Sequence, residues 1–415
     1  MHFGKTSWAL WALALGTLNL EARPAFFLPS RIYAAPGLEC NVYYKNIFDS
    51  VVPQNYAFQA FSPKGKAQLK RWTFTPEEAD RGKTYPLVVN AWSDAGIVAA
   101  VTSEVVVAAR PLDPKRRTTL ALFGDSLTNC GFQDQILADM KAAGFTGYTP
   151  VGRRVREGRI ALHDGYGGYT CTAFLTRYQV AEDEAAHLQD AAEREQLRAL
   201  GLTTKVVHEW QRALLKSPLI RLENGQKKVD VQHWLDQVNG GRPPDIVLVE
   251  LGVNDIFRYE GEEPELRARM RAELLPTFDR FFAVLKEKMP RATYLLVTQP
   301  VGCSQDGFAA NYGASWNEVQ FRKIAFALNR EFADYVAAKK DIDLRLVPWG
   351  QAIDPECGYI LRRESVHAQD PKTLVWRDSN AVHPGDAGGR QLGDALAAYL
   401  QCLLGQTGSR GASGK

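Results

Sequence analysis

Apolar residues in this chain fall into two kinds of segment. From residue 119 onward, short unbroken apolar runs alternate with longer stretches whose apolar positions recur every three or four residues. The first kind reads as strands buried on both faces, the second as amphipathic helices. The runs lie at residues 119–123, 245–251, 292–298 and 344–347. Helical faces are marked by Phe132, Ile136, Leu137 and Met140, and by Phe321, Ile324, Leu328, Phe332 and Tyr335. Leu266, Met270, Leu274, Phe278, Phe281 and Leu285 mark another, and Pro276 predicts a kink or split there. A closing helix carries Leu392, Leu396, Tyr399, Leu400 and Leu403, with Gly405 as its cap. Strand–helix alternation predicts an α/β domain over residues 119–405: a three-layer parallel sheet with helices on both faces.

Residues 36–110 follow another rhythm. Short aromatic and β-branched segments, such as Asn41-Val42-Tyr43-Tyr44 and Arg71-Trp72-Thr73-Phe74, are separated by turn signals such as Ser93-Asp94-Ala95-Gly96. This predicts a small all-β sandwich, which loosely resembles immunoglobulin-like modules. Residues 111–118 are polar and proline-bearing, and read as a linker between separately folding units. Residues 178–200 are charged and helix-prone, which fits a solvated helix laid on the fold better than a mobile lid. The tail, 406–415, is polar and Gly/Ser-rich and reads as disordered.

The chain has 415 residues, 45% hydrophobic and 23% charged, with a net charge of +3. That suits a globular chain with room for two domains, and the balanced charge argues against a nucleic-acid partner. Residues 1–35 read as a secretory signal and N-terminal segment. Lys5 supplies the charge and residues 8–20 the apolar core, with cleavage after Ala22 or Ala35. The apolar core is short for a bilayer span, and nothing later is longer, so no stable membrane insertion is expected. The spacing of the six cysteines matches no zinc pattern. Export permits disulfides, with Cys130–Cys171 the pairing to consider; buried free thiols are the other reading.

Phe123-Gly124-Asp125-Ser126-Leu127 joins the first apolar run to the first helical segment. A strand that turns there into a helix leaves Ser126 at the carboxyl end of the sheet, where open α/β sheets bind ligands. Its N–H would lie in the first helical turn, among unpaired donors. Serine also caps helices, so the tripeptide alone does not decide its role. Three further blocks follow in order: residues 163–170 with Gly165, Gly167 and Gly168; Gly252-Val253-Asn254-Asp255; and Val382-His383-Pro384.

Taken together, these four blocks resemble the SGNH hydrolases, or GDSL esterases/lipases, over residues 119–404. The resemblance implies an ester hydrolase with Ser126 as nucleophile and His383 as base. It also implies an oxyanion hole made by the Ser126 and Gly168 backbone N–H groups and the Asn254 side chain. Gly165 or Gly167 replaces Gly168 if the register slips. One such donor is commonly worth about 3–4 kcal/mol. No metal or organic cofactor is implied.

One position departs from the family pattern. Three residues before the histidine, where aspartate is usual, stands Asn380. Asparagine can accept a hydrogen bond from the ring but cannot offset imidazolium charge. Asp378, two residues earlier, is the other candidate to orient His383. Arg153, Arg154, Arg156 and Arg159 precede the glycine block and read as a solvated strand edge or as a greeting for an acidic sugar. The expected function is secreted or periplasmic hydrolysis of short-chain esters, foremost O-acetyl groups on carbohydrate. The alternatives are a lipase or lysophospholipase on the same fold, or a non-catalytic glycan binder on a decayed one. The expected partner is a small-molecule or polysaccharide ester; oligomeric state is left open.

Overall fold

A computed structural model describes residues 25–50, 52–156, 158–179 and 215–405. Most of the charged 178–200 segment, most of the expected signal sequence and the 406–415 tail lie outside the described residues. At the centre is a parallel sheet. Strand β1 (Thr118–Gly124) is flanked by β2 (Tyr148–Val151) on one side and by β4 (Ile246–Glu250) on the other. Beyond β4 follow β5 (Thr293–Val297) and β6 (Asp343–Val347), and short β3 (Asp164–Gly165) pairs with the end of β1. All seven residues of β1 and all five of β4 are buried. That is why their sequences run apolar without alternation.

Helices cover both faces. On one side, Phe123, Val247, Val249, Phe278 and Phe281 share a core with Trp234 and Phe174. On the other, Leu120, Leu122, Phe132, Leu392 and Leu400 share a second core with Trp349. The predicted disturbance at Pro276 is a π-helical turn over Met270–Leu274, set between Glu263–Arg269 and Leu275–Lys288 in backbone that stays helical throughout. The wider turn just before Pro276 accommodates the N–H that proline lacks.

The N-terminal module is β-rich and extends further back than residue 36. Arg31–Ala34 pairs with Gly96–Val107 in a four-stranded sheet, which faces a three-stranded sheet built on Cys40–Tyr43 and Arg71–Phe74. Val42, Trp72, Leu87, Val89 and Val105 fill the space between. Ala25–Phe26 adds a further short pair with Phe48–Asp49. Residues 25–35 are therefore part of the fold, and cleavage after Ala35 would remove an edge strand of the four-stranded sheet.

The module is also docked rather than tethered. Asn46 donates to the carbonyls of Gly350 (3.2 Å) and Ile353 (2.6 Å). Buried Arg322 donates to the carbonyls of Lys45 (2.9 Å) and Phe48 (3.1 Å). Tyr33 meets Tyr399 edge-on, with ring centroids 4.6 Å apart. The linker composition of 111–118 concealed this, because the docking residues lie elsewhere in sequence.

Candidate active site

Strand β1 delivers Ser126 to the carboxyl edge of the sheet, between β3 and β4. The turn that follows is sharp. A Cβ on Gly124 would stand 1.9 Å from the Thr128 hydroxyl, so glycine is required there. The Asp125 carboxylate accepts the Leu127 N–H at 2.8 Å. Thr128–Cys130 then forms one 3₁₀ turn, and Gly131 breaks it in the left-handed region, with φ 93°. The long helix, α1 (Phe132–Ala142), starts only after that break. The expected first-turn position of the Ser126 N–H is thus corrected: the donor lies in the loop, clear of the α1 terminus. Among the described residues it makes no hydrogen bond, and so is open to an incoming acceptor.

His383 lies in the segment before helix α2 (Asp386–Gly405). Ser126 and His383 line one cleft of about 590 Å³, together with Asn129, Arg156, Tyr359 and Leu361. The hydroxyl and ring are not hydrogen-bonded to each other among the described residues; such contacts commonly tighten only when substrate binds. Burial lowers the pKa of His383, which keeps the ring neutral and able to accept a proton.

Asn380 and Asp378 separate cleanly. The Asn380 amide oxygen lies 3.0 Å from His383 Nδ1, and also accepts the backbone N–H groups of His383 (2.9 Å) and Val382 (3.2 Å). Asp378 turns the other way. Its carboxylate accepts the Ser304 N–H at 3.1 Å and the Ser304 hydroxyl. Asp378 as the group that orients His383 is therefore corrected. It ends a strand (Asp370–Asp378) and is spent on Ser304, the residue that precedes the helix Gln305–Tyr312.

The glycine block forms a tight turn, with the Tyr169 N–H donating to the Tyr166 carbonyl at 3.0 Å. Gly168 takes φ 71°, as the third residue of such a turn requires. Gly167 is the glycine of the block that lies against Ser126: a Cβ there would lie 3.9 Å from that of Ser126. Neither glycine N–H is hydrogen-bonded among the described residues. Gly165 is a packing residue, pressed against Thr128 in β3.

Asn254 follows β4. Its side-chain amide donates to the Asp125 carboxylate at 2.8 Å and to the Tyr169 carbonyl at 3.1 Å. Both amide hydrogens are thus engaged, tying the turn that bears Ser126 to the glycine turn. In this arrangement Asn254 joins the two turns; donating to an oxyanion would require it to release one partner.

Beneath lies a feature the sequence reading passed over. Glu250 ends β4, fully buried, and accepts from the Thr128 N–H (3.1 Å), the Thr128 hydroxyl (3.0 Å) and the Asp125 N–H (3.4 Å). Burial pushes its pKa up to about 7. Asp125 is raised well above the carboxylate range by burial and by the Glu250 charge. Two buried carboxyls side by side disfavour double ionisation. A charged residue closing an otherwise apolar run was the available signal.

The cysteines are free thiols, so the Cys130–Cys171 bridge does not form. Cys171 is buried against the Thr277 carbonyl, and Cys130 approaches the Ser126 carbonyl. Of the four arginines, Arg156 lines the cleft and Arg154 stacks on the Tyr166 ring 4.8 Å from its centroid. Arg159 pairs with Asp134 at 3.7 Å. Among the described residues no cluster of three or more His, Cys, Asp or Glu is arranged to hold a metal. No described helix is long and apolar enough to cross a membrane.

Several solved structures are similar to this chain. One is a family 3 carbohydrate esterase from Clostridium thermocellum, at 12% identity and a TM-score of 0.36, covering 70% of this chain and 98% of that one. A carbohydrate acetylesterase from Sinorhizobium meliloti matches at 13% identity and a TM-score of 0.31, covering 69% and 100%. An aryl esterase from M. smegmatis matches at 12% identity and a TM-score of 0.32, covering 68% and 98%. No protein-family model and no curated protein matches the chain.

Proposed function

We propose that this chain is a serine esterase of the SGNH type. It removes short acyl groups, foremost O-acetyl groups on carbohydrate, through an acyl-enzyme on Ser126. The observation that carries this reading is the shared cleft: Ser126 and His383 line it together, and Asn380 holds His383 from behind. An amide oxygen can only accept, so Nδ1 carries the proton and Nε2 is left as the base.

In the first half-reaction the Ser126 oxygen attacks the ester carbonyl and its proton passes to His383 Nε2. The Ser126 N–H and a glycine-turn N–H, from Gly167 or Gly168, receive the oxyanion. The alcohol then leaves, taking the proton from His383. Water repeats the sequence in reverse and frees the acid. Polar lining by Asn129 and Arg156 suits a wet, short-acyl site rather than a lipid tail. In this reading residues 1–22 direct export and are removed, which leaves the strands from Ala25 onward intact. The N-terminal module is an immunoglobulin-like accessory to the catalytic domain.

A p-nitrophenyl ester series tests the reading. The acetate is expected to give the highest kcat/KM, with a steep fall towards the palmitate. A maximum at long chains would favour the lipase alternative, and no turnover of any ester would contradict catalysis.

A further inference from the structure

Between Tyr359 and Asn380 the chain forms an antiparallel hairpin, β7 (Leu361–His367) and β8 (Asp370–Asp378), that the apolar pattern did not reveal. Its root is part of the candidate site. Leu361 lines the cleft, and β8 leads within two residues into Asn380. Cross-strand partners share a face. One face carries Leu361, Arg363 and Ser365 opposite Asp378, Trp376 and Leu374. The other carries Arg362 and Glu364 opposite Arg377 and Val375.

The two faces are unlike. On the second, charges are spent within the protein. Arg377 pairs with Asp306 (3.1 Å) and Glu364 (3.3 Å), and Glu364 also holds Arg362. That face is anchored to the helix Gln305–Tyr312. On the first face, Trp376 is 61% exposed and Leu374 46%. The Arg363 guanidinium lies over the indole, 4.8 Å from its centroid, and no carboxylate among the described residues pairs with it. The carboxylate on the same face, Asp378, is occupied by Ser304, and the adjacent Glu364 is held by Arg362 and Arg377.

We infer that this face is a glycan subsite that extends the catalytic cleft, and that its occupant is an O-acylated polysaccharide bearing carboxylates. The inference rests on the esterase reading of the cleft and names the substrate class for it. An exposed indole offers a flat apolar surface to the C–H face of a sugar ring. A guanidinium already stacked on it is pre-oriented to take a carboxylate with two parallel N–H donors. Arg363 stands two residues along the strand from Leu361, about 7 Å at strand rise. A chain with its ester at Ser126 thus reaches Trp376 with its neighbouring sugars. Arg156 in the cleft carries the same charge preference.

The test measures binding apart from turnover. Full-length Ser126→Ala protein is titrated with acetylated pectin and with acetylated xylan, alone and combined with Trp376→Ala or Arg363→Ala. Wild-type protein carrying each hairpin change is assayed on p-nitrophenyl acetate. Expected are pectin binding weakened about tenfold by either hairpin change, weaker binding of the neutral xylan throughout, and p-nitrophenyl acetate turnover within twofold of wild type. Unchanged pectin affinity in both hairpin variants, or equal affinity for xylan, overturns the inference. Pectin binding that depends on the hairpin in a protein inert towards every ester would support the subsite and sink the esterase reading instead.

Discussion

The His383 ring is held by Asn380, whose amide oxygen lies 3.0 Å from Nδ1 and gathers two backbone N–H groups from the same turn. A neutral acceptor therefore stands where a carboxylate would stabilise the imidazolium formed during attack. Asn380→Ala should lower kcat on p-nitrophenyl acetate at least about tenfold, roughly 1.4 kcal/mol, whereas Asp378→Ala should leave it near wild type. The reverse order would return the orienting role to Asp378.

Burial of the same ring sets the pH profile. Burial depresses the His383 pKa, so the ring stays neutral to below its ordinary value of about 6.5. The acid limb of kcat/KM should accordingly have its midpoint below pH 6.5. Asn380→Asp adds a negative charge beside the ring, which favours the imidazolium; the limb should move to higher pH and kcat should rise. An unmoved limb would show that another group controls it.

Asn254 joins the turn bearing Ser126 to the turn bearing Gly167 and Gly168. Asn254→Ala removes both hydrogen bonds, so kcat should fall by about 10²–10³ with KM little changed. A change confined to KM would assign Asn254 to substrate binding.

Glu250 has a pKa raised to about 7 by burial, against 4.5 when exposed. Ionising it in the folded state is costly. Its contribution to stability is full below pH 4.5 and is lost as pH rises through 7. Thermal unfolding should show a Tm that falls between pH 5 and pH 8. Glu250→Gln, which cannot ionise, should flatten that fall. An equal slope in the variant would place the effect on other buried carboxyls, such as Asp164 and Asp255.

Docking of the N-terminal module is tested by Asn46→Ala. The change leaves the buried carbonyls of Gly350 and Ile353 without their donor, at a cost of about 1–3 kcal/mol. Chemical denaturation should show one transition at a lower midpoint. Two transitions, or an unchanged midpoint, would mean that the module and the α/β domain unfold independently.

The sequence was most informative where one physical rule governs a whole segment. The runs at 119–123 and 245–251 are apolar throughout because both faces of β1 and β4 are covered, and they mark the sheet directly. The placement of Ser126 after β1 and of His383 before α2 was legible because each adjoins a segment with a clear apolar pattern. What stayed hidden depends on contacts between distant residues. Asp378 and Asn380 both suit the chemistry, and only their partners, Ser304 for one and His383 for the other, separate them. Docking of the N-terminal module rests on Asn46 and Arg322, polar residues with no periodic signature. The hairpin of β7 and β8 is exposed on both faces, so it lacks the apolar alternation by which half-buried strands are recognised.

Reaction of the full-length protein with a serine-directed fluorophosphonate probe tests the central claim most directly. Wild-type protein should label with one probe per chain and lose p-nitrophenyl acetate hydrolysis in step with labelling, while Ser126→Ala, folded by circular dichroism, should neither label nor hydrolyse. Labelling or hydrolysis that survives in Ser126→Ala would contradict the assignment of the nucleophile.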